Sequence, residues 1–206
     1  MALGVEDLED ESRFRQILKV PYDELINFVF DYIKRRSDLM VFFWSLCIIF
    51  LGFAAYIRLN IAGYFPLKYI LLHSLLGLIV FPLILVPIHE LLHVIPFRLT
   101  GAKKIRIGMD LKQYMFYVTA HRHVVNSKQF RWIGYTPFAV ISLGLLLLIL
   151  FVPGLWKWSL SLLLLVHATM CAGDFAMMNF FRLSRNKKIY TWDDADKKIA
   201  YFYEEI

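Results

Sequence analysis

Apolar positions in this chain fall into long unbroken runs, without the alternating or 3.6-residue patterning of a water-facing element. Residues 39–57, LMVFFWSLCIIFLGFAAYI, form the first run. Residues 67–97 form a longer one carrying Pro82, Pro87 and Pro96, residues 132–152 a third, and residues 156–181 a fourth. A helix needs about 20 mostly apolar residues to cross the hydrocarbon of a bilayer, so each run predicts one spanning helix. The second run can span and still have one or two turns left over. The polar remainder then divides into an N-terminal segment 1–38, a single sizeable internal loop 98–131, and a C-terminal tail 182–206, around a four-helix domain 39–181. Neither an internal repeat nor a low-complexity linker interrupts this plan.

The polar segments carry weaker patterns. Within the loop, KIRIGMDLKQYMFYVTAHRHVV is rich in β-branched and aromatic residues and predicts two short strands around DLKQ. The tail IYTWDDADKKIAYFYEEI predicts a short amphipathic helix, and the N-terminal segment a surface helix with Phe28, Val29, Tyr32 and Ile33 towards the membrane. The expected fold class is therefore an all-α membrane protein of about four transmembrane helices with a short β-hairpin-like loop.

Composition and charge sharpen that expectation. The 206 residues are 59% hydrophobic with a mean hydropathy of +0.55, above the roughly 45–50% of soluble domains. The opening MALGVEDLEDESRFRQ has neither the basic stretch nor the apolar run of a cleaved secretory signal. Cys47 and Cys171 both lie inside apolar runs, so no disulfide framework is expected. Lysine and arginine number six in the N-terminal segment, eight in loop 98–131 and six after residue 181, against two and one in the other two connections. That asymmetry of twenty to three predicts a multi-pass protein of the cell membrane with both termini and the large loop in the cytosol. The net charge of +6 then reflects topology and anionic headgroups, and a nucleic-acid partner is not expected.

Against this apolar background, ILVPIHELLHVIPF at residues 84–97 stands out. On a helix, His89 and His93 point to one side. Two imidazoles at that spacing can hold one Zn2+, with Glu90 beside the metal as general base: the H-E-x-x-H arrangement of zinc peptidases, in which a metal-activated water attacks a carbonyl. The four runs contain only two acidic residues, Glu90 and Asp174. His93 lies four residues before the end of its run and Asp174 seven before the end of its own, which places both at similar depth near the cytosolic boundary. Asp174 is thus the expected third ligand, leaving a fourth position open as in catalytic zinc sites. Gly173 is expected to allow close approach of the fourth helix to the second, and Pro87 to kink the second helix where the site begins.

At these residues the sequence resembles the putative zincin peptidase family, a bacterial group that is similar to the site-2 protease class of intramembrane metalloproteases. The resemblance rests on HELLH at 89–93, GAKKIRIG at 101–108, YTPF at 135–138 and GD at 173–174. It implies His89, His93 and Asp174 as metal ligands, Glu90 as the catalytic carboxylate, and an intramembrane zinc protease acting on transmembrane or membrane-associated peptides. Site-2 proteases typically carry an asparagine-containing pattern and a Leu-Asp-Gly around the third ligand. Here Phe175 follows Asp174 and no asparagine precedes it in that run.

Other residues offer lesser roles. His167, seven residues before Asp174, is expected on the same helical face, either as a hydrogen-bond donor to a developing oxyanion or as a group orienting a ligand. His73 is expected near the outer surface, away from the metal. His121 and His123 share one face of a possible strand and are expected to contact substrate, headgroups or solvent. Cys171, one turn before Asp174, is expected to pack. A strand edge beside the metal would hold an extended peptide by main-chain hydrogen bonds. The rival function is a noncatalytic membrane protein, an inactive relative or metal-dependent scaffold that binds membrane peptides. A transporter fits poorly with a single cluster near one surface.

Overall fold

The computed structural model describes residues 3–110 and 115–206. Its helices are α1 (Leu25–Ile33), α2 (Asp38–Asn60), α3 (Leu67–Leu75), α4 (Phe81–Leu99), α5 (Ser127–Phe151), α6 (Gly154–Met170) and α7 (Ala172–Leu183). Four helical stretches are long and apolar enough to cross a membrane: Asp38–Asn60, Leu67–Leu99, Ser127–Phe151 and Gly154–Leu183. They coincide with the four apolar runs. Only 17% of the most apolar window of Leu67–Leu99 is buried inside the protein. Large side chains such as Ile48, Leu83, Leu147 and Phe151 stand exposed, which is an apolar surface far beyond that of a soluble monomer.

Two of the four stretches are interrupted. The π-helical turn Leu76–Val80 joins α3 to α4, with the Phe81 N–H bonded to the Leu76 carbonyl. Pro82, which has no N–H to continue the α ladder, follows directly. Helix α4 then runs on through Pro87 and Pro96, so the irregularity expected at Pro87 lies about two to three turns earlier. The fourth stretch breaks at Cys171 (φ −71°, ψ 2°) and restarts as α7.

Capping sets the ends that matter. Ser37 accepts from the Met40 N–H at the start of α2. Asn126 and Gln129 form a reciprocal capping box at the start of α5. Helix α4 stops at Gly101, whose φ of +97° suits a residue without a side chain. There the Gly101 N–H bonds to the Arg98 carbonyl and the Ala102 N–H to the Phe97 carbonyl.

The all-α expectation is corrected by the strands: β1 (Phe14–Pro21), β2 (Ile105–Asp110), β3 (Met115–Ala120), β4 (Val125–Asn126), β5 (Ile189–Asp194) and β6 (Ile199–Glu205). The expected hairpin exists as β2–β3, paired from Ile105 opposite Ala120 to Asp110 opposite Met115. The turn at DLKQ lies in residues 111–114, outside the described residues. The C-terminal tail is a β-hairpin and not a helix: Ala200 and Phe202 on β6 are buried in alternation, and β5 buries Ile189 in one hydrophobic cluster and Trp192 in another. Strands β1, β6, β5 and β4 form one antiparallel sheet in that order. It draws the N-terminal segment, the large loop and the C-terminal tail to the same end of the helices.

Two cores hold these layers together. Met40, Phe43, Phe138, Leu164, Phe175 and Met178 bind α2, α5, α6 and α7. Phe28, Phe180, Phe181 and Phe202 fasten α1 and α7 onto the sheet. The close helix approach is at Gly77, where an added Cβ would lie 2.4 Å from the Ser159 carbonyl oxygen. The space beside Gly173 is open, with nothing within 4 Å of an added Cβ, so its expected packing role is corrected.

A candidate metal centre between the helices and the sheet

Helix α4 carries His89 and His93 one turn apart, and both rings are buried. They meet edge-on with centroids 5.2 Å apart. The break at Cys171 places Asp174 in the first turn of α7, where unpaired N–H groups favour a carboxylate. Asp174 Oδ2 lies 3.3 Å from His89 Nε2, and Oδ1 lies 3.5 Å from His93 Nε2. Asp174 Oδ2 is buried and has no hydrogen-bond partner. Ligands about 2.0–2.1 Å from a tetrahedral zinc stand roughly 3.3–3.5 Å from one another. Asp174 thus lies near that separation from each imidazole, and its orphaned oxygen is one that a divalent cation would satisfy.

The far nitrogens of both rings are engaged. His93 Nδ1 donates to the Ile133 carbonyl at 3.0 Å, which leaves Nε2 with its lone pair facing Asp174. His89 Nδ1 lies 3.4 Å from His167 Nε2, and His167 Nδ1 lies 3.4 Å from Ser142 Oγ. His167 is fully buried and belongs to α6, so the break separates it from the helix of Asp174. Its ring stands behind His89, away from the cleft into which His89, Glu90, His93 and Asp174 open. Cys171 Sγ, 3.6 Å from His167 Nε2 and 3.9 Å from His89 Nδ1, completes a second buried cluster that shares His89. The sequence signal for this cluster was the four-residue spacing of His167 and Cys171, read one residue at a time.

Glu90 turns towards the sheet side. The Val118 N–H of β3 donates to its Oε2 at 3.1 Å. Val118 pairs opposite Ile107 on β2, and this N–H points away from that partner. The outer edge of β3 thus runs along the cleft beside the two histidines.

The remaining histidines serve the frame. His73 Nδ1 is 2.7 Å from Ser159 Oγ, with the ring against Trp156. His121 Nδ1 accepts from the Ala195 N–H, and Thr100 Oγ1 lies 3.1 Å from His123 Nε2. Partial burial holds the His123 pKa below its usual value. These two partly buried rings pin the hairpin to the C-terminal strands and to the end of α4. Asn179, five residues after Asp174, donates to the Tyr32 and Arg35 carbonyls and supports α1 away from the cleft.

Paired histidines on one helix and a carboxylate from another could hold a metal ion, with the glutamate beside them. The model of the putative zincin peptidase family matches residues 82–189, a span that takes in all four of these residues. The chain belongs to that family. Comparison with curated proteins and with solved structures gives no match.

Proposed function

We propose that the protein is an intramembrane zinc endopeptidase that cleaves extended segments of membrane peptides. The observation that carries this reading is the placing of Glu90 between the His89–His93 pair and the free edge of β3. His89, His93 and Asp174 hold the metal, and zinc is favoured by two imidazoles and one carboxylate. Bound there, zinc supplies Lewis-acid activation of a water and of the scissile carbonyl.

The chain's own residues do the rest. The edge of β3 takes an extended peptide by main-chain hydrogen bonds. The incoming strand competes with Glu90 for the Val118 N–H, which frees the carboxylate to accept a proton from water and pass it to the leaving amine. Helical substrates must unwind to pair in this way. His167 orients His89 from behind and stays out of contact with substrate. The bilayer covers the exposed apolar helix faces, and the shared sheet together with the basic-residue asymmetry favours both termini in the cytosol.

Replacing Glu90 by Gln tests the reading. The variant is expected to keep one zinc per chain and to lose about 10²–10⁴-fold in cleavage of single-span helical peptides in detergent. Equal rates in variant and parent would refute the mechanism. The second reading is a noncatalytic peptide binder, and the bond from Val118 to Glu90 favours it, because it occupies the base. If the parent holds zinc and binds peptides but cuts none across a library of single-span helices, that reading replaces the first.

A further inference from the structure

The cleft extends past the metal centre to a second polar group. Asp193 of β5, Thr119 of β3, and Tyr22 just after β1 all line it, together with the ring of Tyr117. Thr119 Oγ1 donates to Asp193 Oδ2 at 2.8 Å. Among the described residues, no Lys, Arg or His lies within ion-pair distance of this carboxylate, whereas its neighbour Asp194 faces both Lys197 and His121. Tyr22 is 6% exposed, and its hydroxyl lies beside Thr119 and Asp193, with the Thr119 hydroxyl as its near neighbour. The Tyr22 and Tyr117 rings meet edge to face at 5.2 Å. A carboxylate lacking a cation is costly to bury unless something arrives to satisfy it.

The charge balance points the same way. Zinc would be balanced by Asp174 and faced by Glu90, so Asp193 is the acidic group left over in the cleft. Thr119 contacts Asp193 directly, and the titratable groups that line the same cleft from α4, α7, β3 and the N-terminal segment are His89, Glu90, His93, Asp174, Tyr117 and Tyr22. The ligand that fits is a cation with several donors: an ammonium or guanidinium bonded to Asp193 and Tyr22, its stem against the two tyrosine rings. Register locates it. Val118 holds Glu90 and the next residue, Thr119, holds Asp193, one strand step of about 3.3 Å.

We propose that Asp193, Tyr22 and Thr119 form a specificity subsite for a lysine or arginine side chain of the substrate, one or two residues from the scissile bond. This rests on the peptidase reading above but needs no turnover to test. Burial raises the Asp193 carboxyl to about 6, as expected for an acid awaiting a counter-ion.

The test is binding of labelled extended peptides to the full chain in detergent, stripped of metal by a chelator and read by fluorescence anisotropy. Two peptides differ only in one central residue, Lys or Met. The parent is expected to favour the Lys peptide by about tenfold or more at low salt and pH 8, as desolvated charge pairs do. Asp193→Asn should bring the two within about twofold, and Tyr22→Phe should remove part of the preference by taking away one oxygen. Equal binding of both peptides by the parent, or an undiminished preference in Asp193→Asn and Tyr22→Phe, overturns the subsite and leaves the peptidase reading standing. If neither peptide binds, the peptide-cleft reading falls and the subsite falls with it.

Discussion

His167→Phe separates the two roles that the sequence offered for this residue. The substitution keeps an aromatic ring of similar size, stacked near Phe138 as now, and removes both ring nitrogens. In the structure His167 touches only one of the two ligating histidines, and at 3.4 Å. Groups that orient a metal ligand are worth about 10–100-fold in affinity. One long contact to one of three ligands places the loss near the lower bound, about tenfold, or roughly 1.4 kcal/mol. The stability of the fold should change little, because the imidazole's polar contacts, at 3.4 Å to His89 and Ser142 and 3.6 Å to Cys171 Sγ, are all long. The assay is competitive zinc titration against a chromophoric chelator, with thermal unfolding in the same detergent as control. Loss of stoichiometric zinc would mean that His167 is itself a ligand. An unchanged zinc affinity with a much slower cleavage rate would move it to the oxyanion, and the orienting role would be refuted.

Other expectations follow from the same geometry. Asp174→Ala removes one of the three proposed zinc ligands and should cost far more than His167→Phe in the same titration; equal losses would argue against it as a ligand. Gly77→Ala should destabilise by about 1–3 kcal/mol because its Cβ meets a backbone oxygen, whereas Gly144→Ala, with open space around it, should be neutral or slightly stabilising in a thermal scan. Asp193 has a folded pKa raised from 3.8 to about 6, so its contribution is fully present below about pH 4 and is lost as pH rises through 6. Asp193→Asn should therefore gain stability over the parent between those values, by about 1–3 kcal/mol at pH 8; a constant offset across pH would refute this. Lys157→Cys should react with an impermeant thiol reagent on intact cells, and labelling only after permeabilisation would reverse the orientation.

Much of this protein could be read without coordinates. The four apolar runs sufficed for four helices long and apolar enough to cross a membrane. The spacing of His89, Glu90 and His93 sufficed for a candidate metal pair, because a helix turns 100° per residue whatever surrounds it. Asp174 was legible for a thermodynamic reason: a second acid among apolar residues needs a partner.

Tertiary structure decided what depends on partners distant in sequence. Taken alone, the tail at 189–206 reads as a short amphipathic helix. Its alternating Ala200 and Phe202 gain meaning only when Phe28 and Phe180 cover them. The break at Cys171 carries no proline or glycine of its own, and it decides that His167 backs His89 while Asp174 fronts it. Glu90 meets Val118, and Asp193 meets Thr119, across 28 and 74 positions of chain. Local pattern fixes which face of an element is apolar; only the packing of distant elements determines which polar atoms share that face's open end.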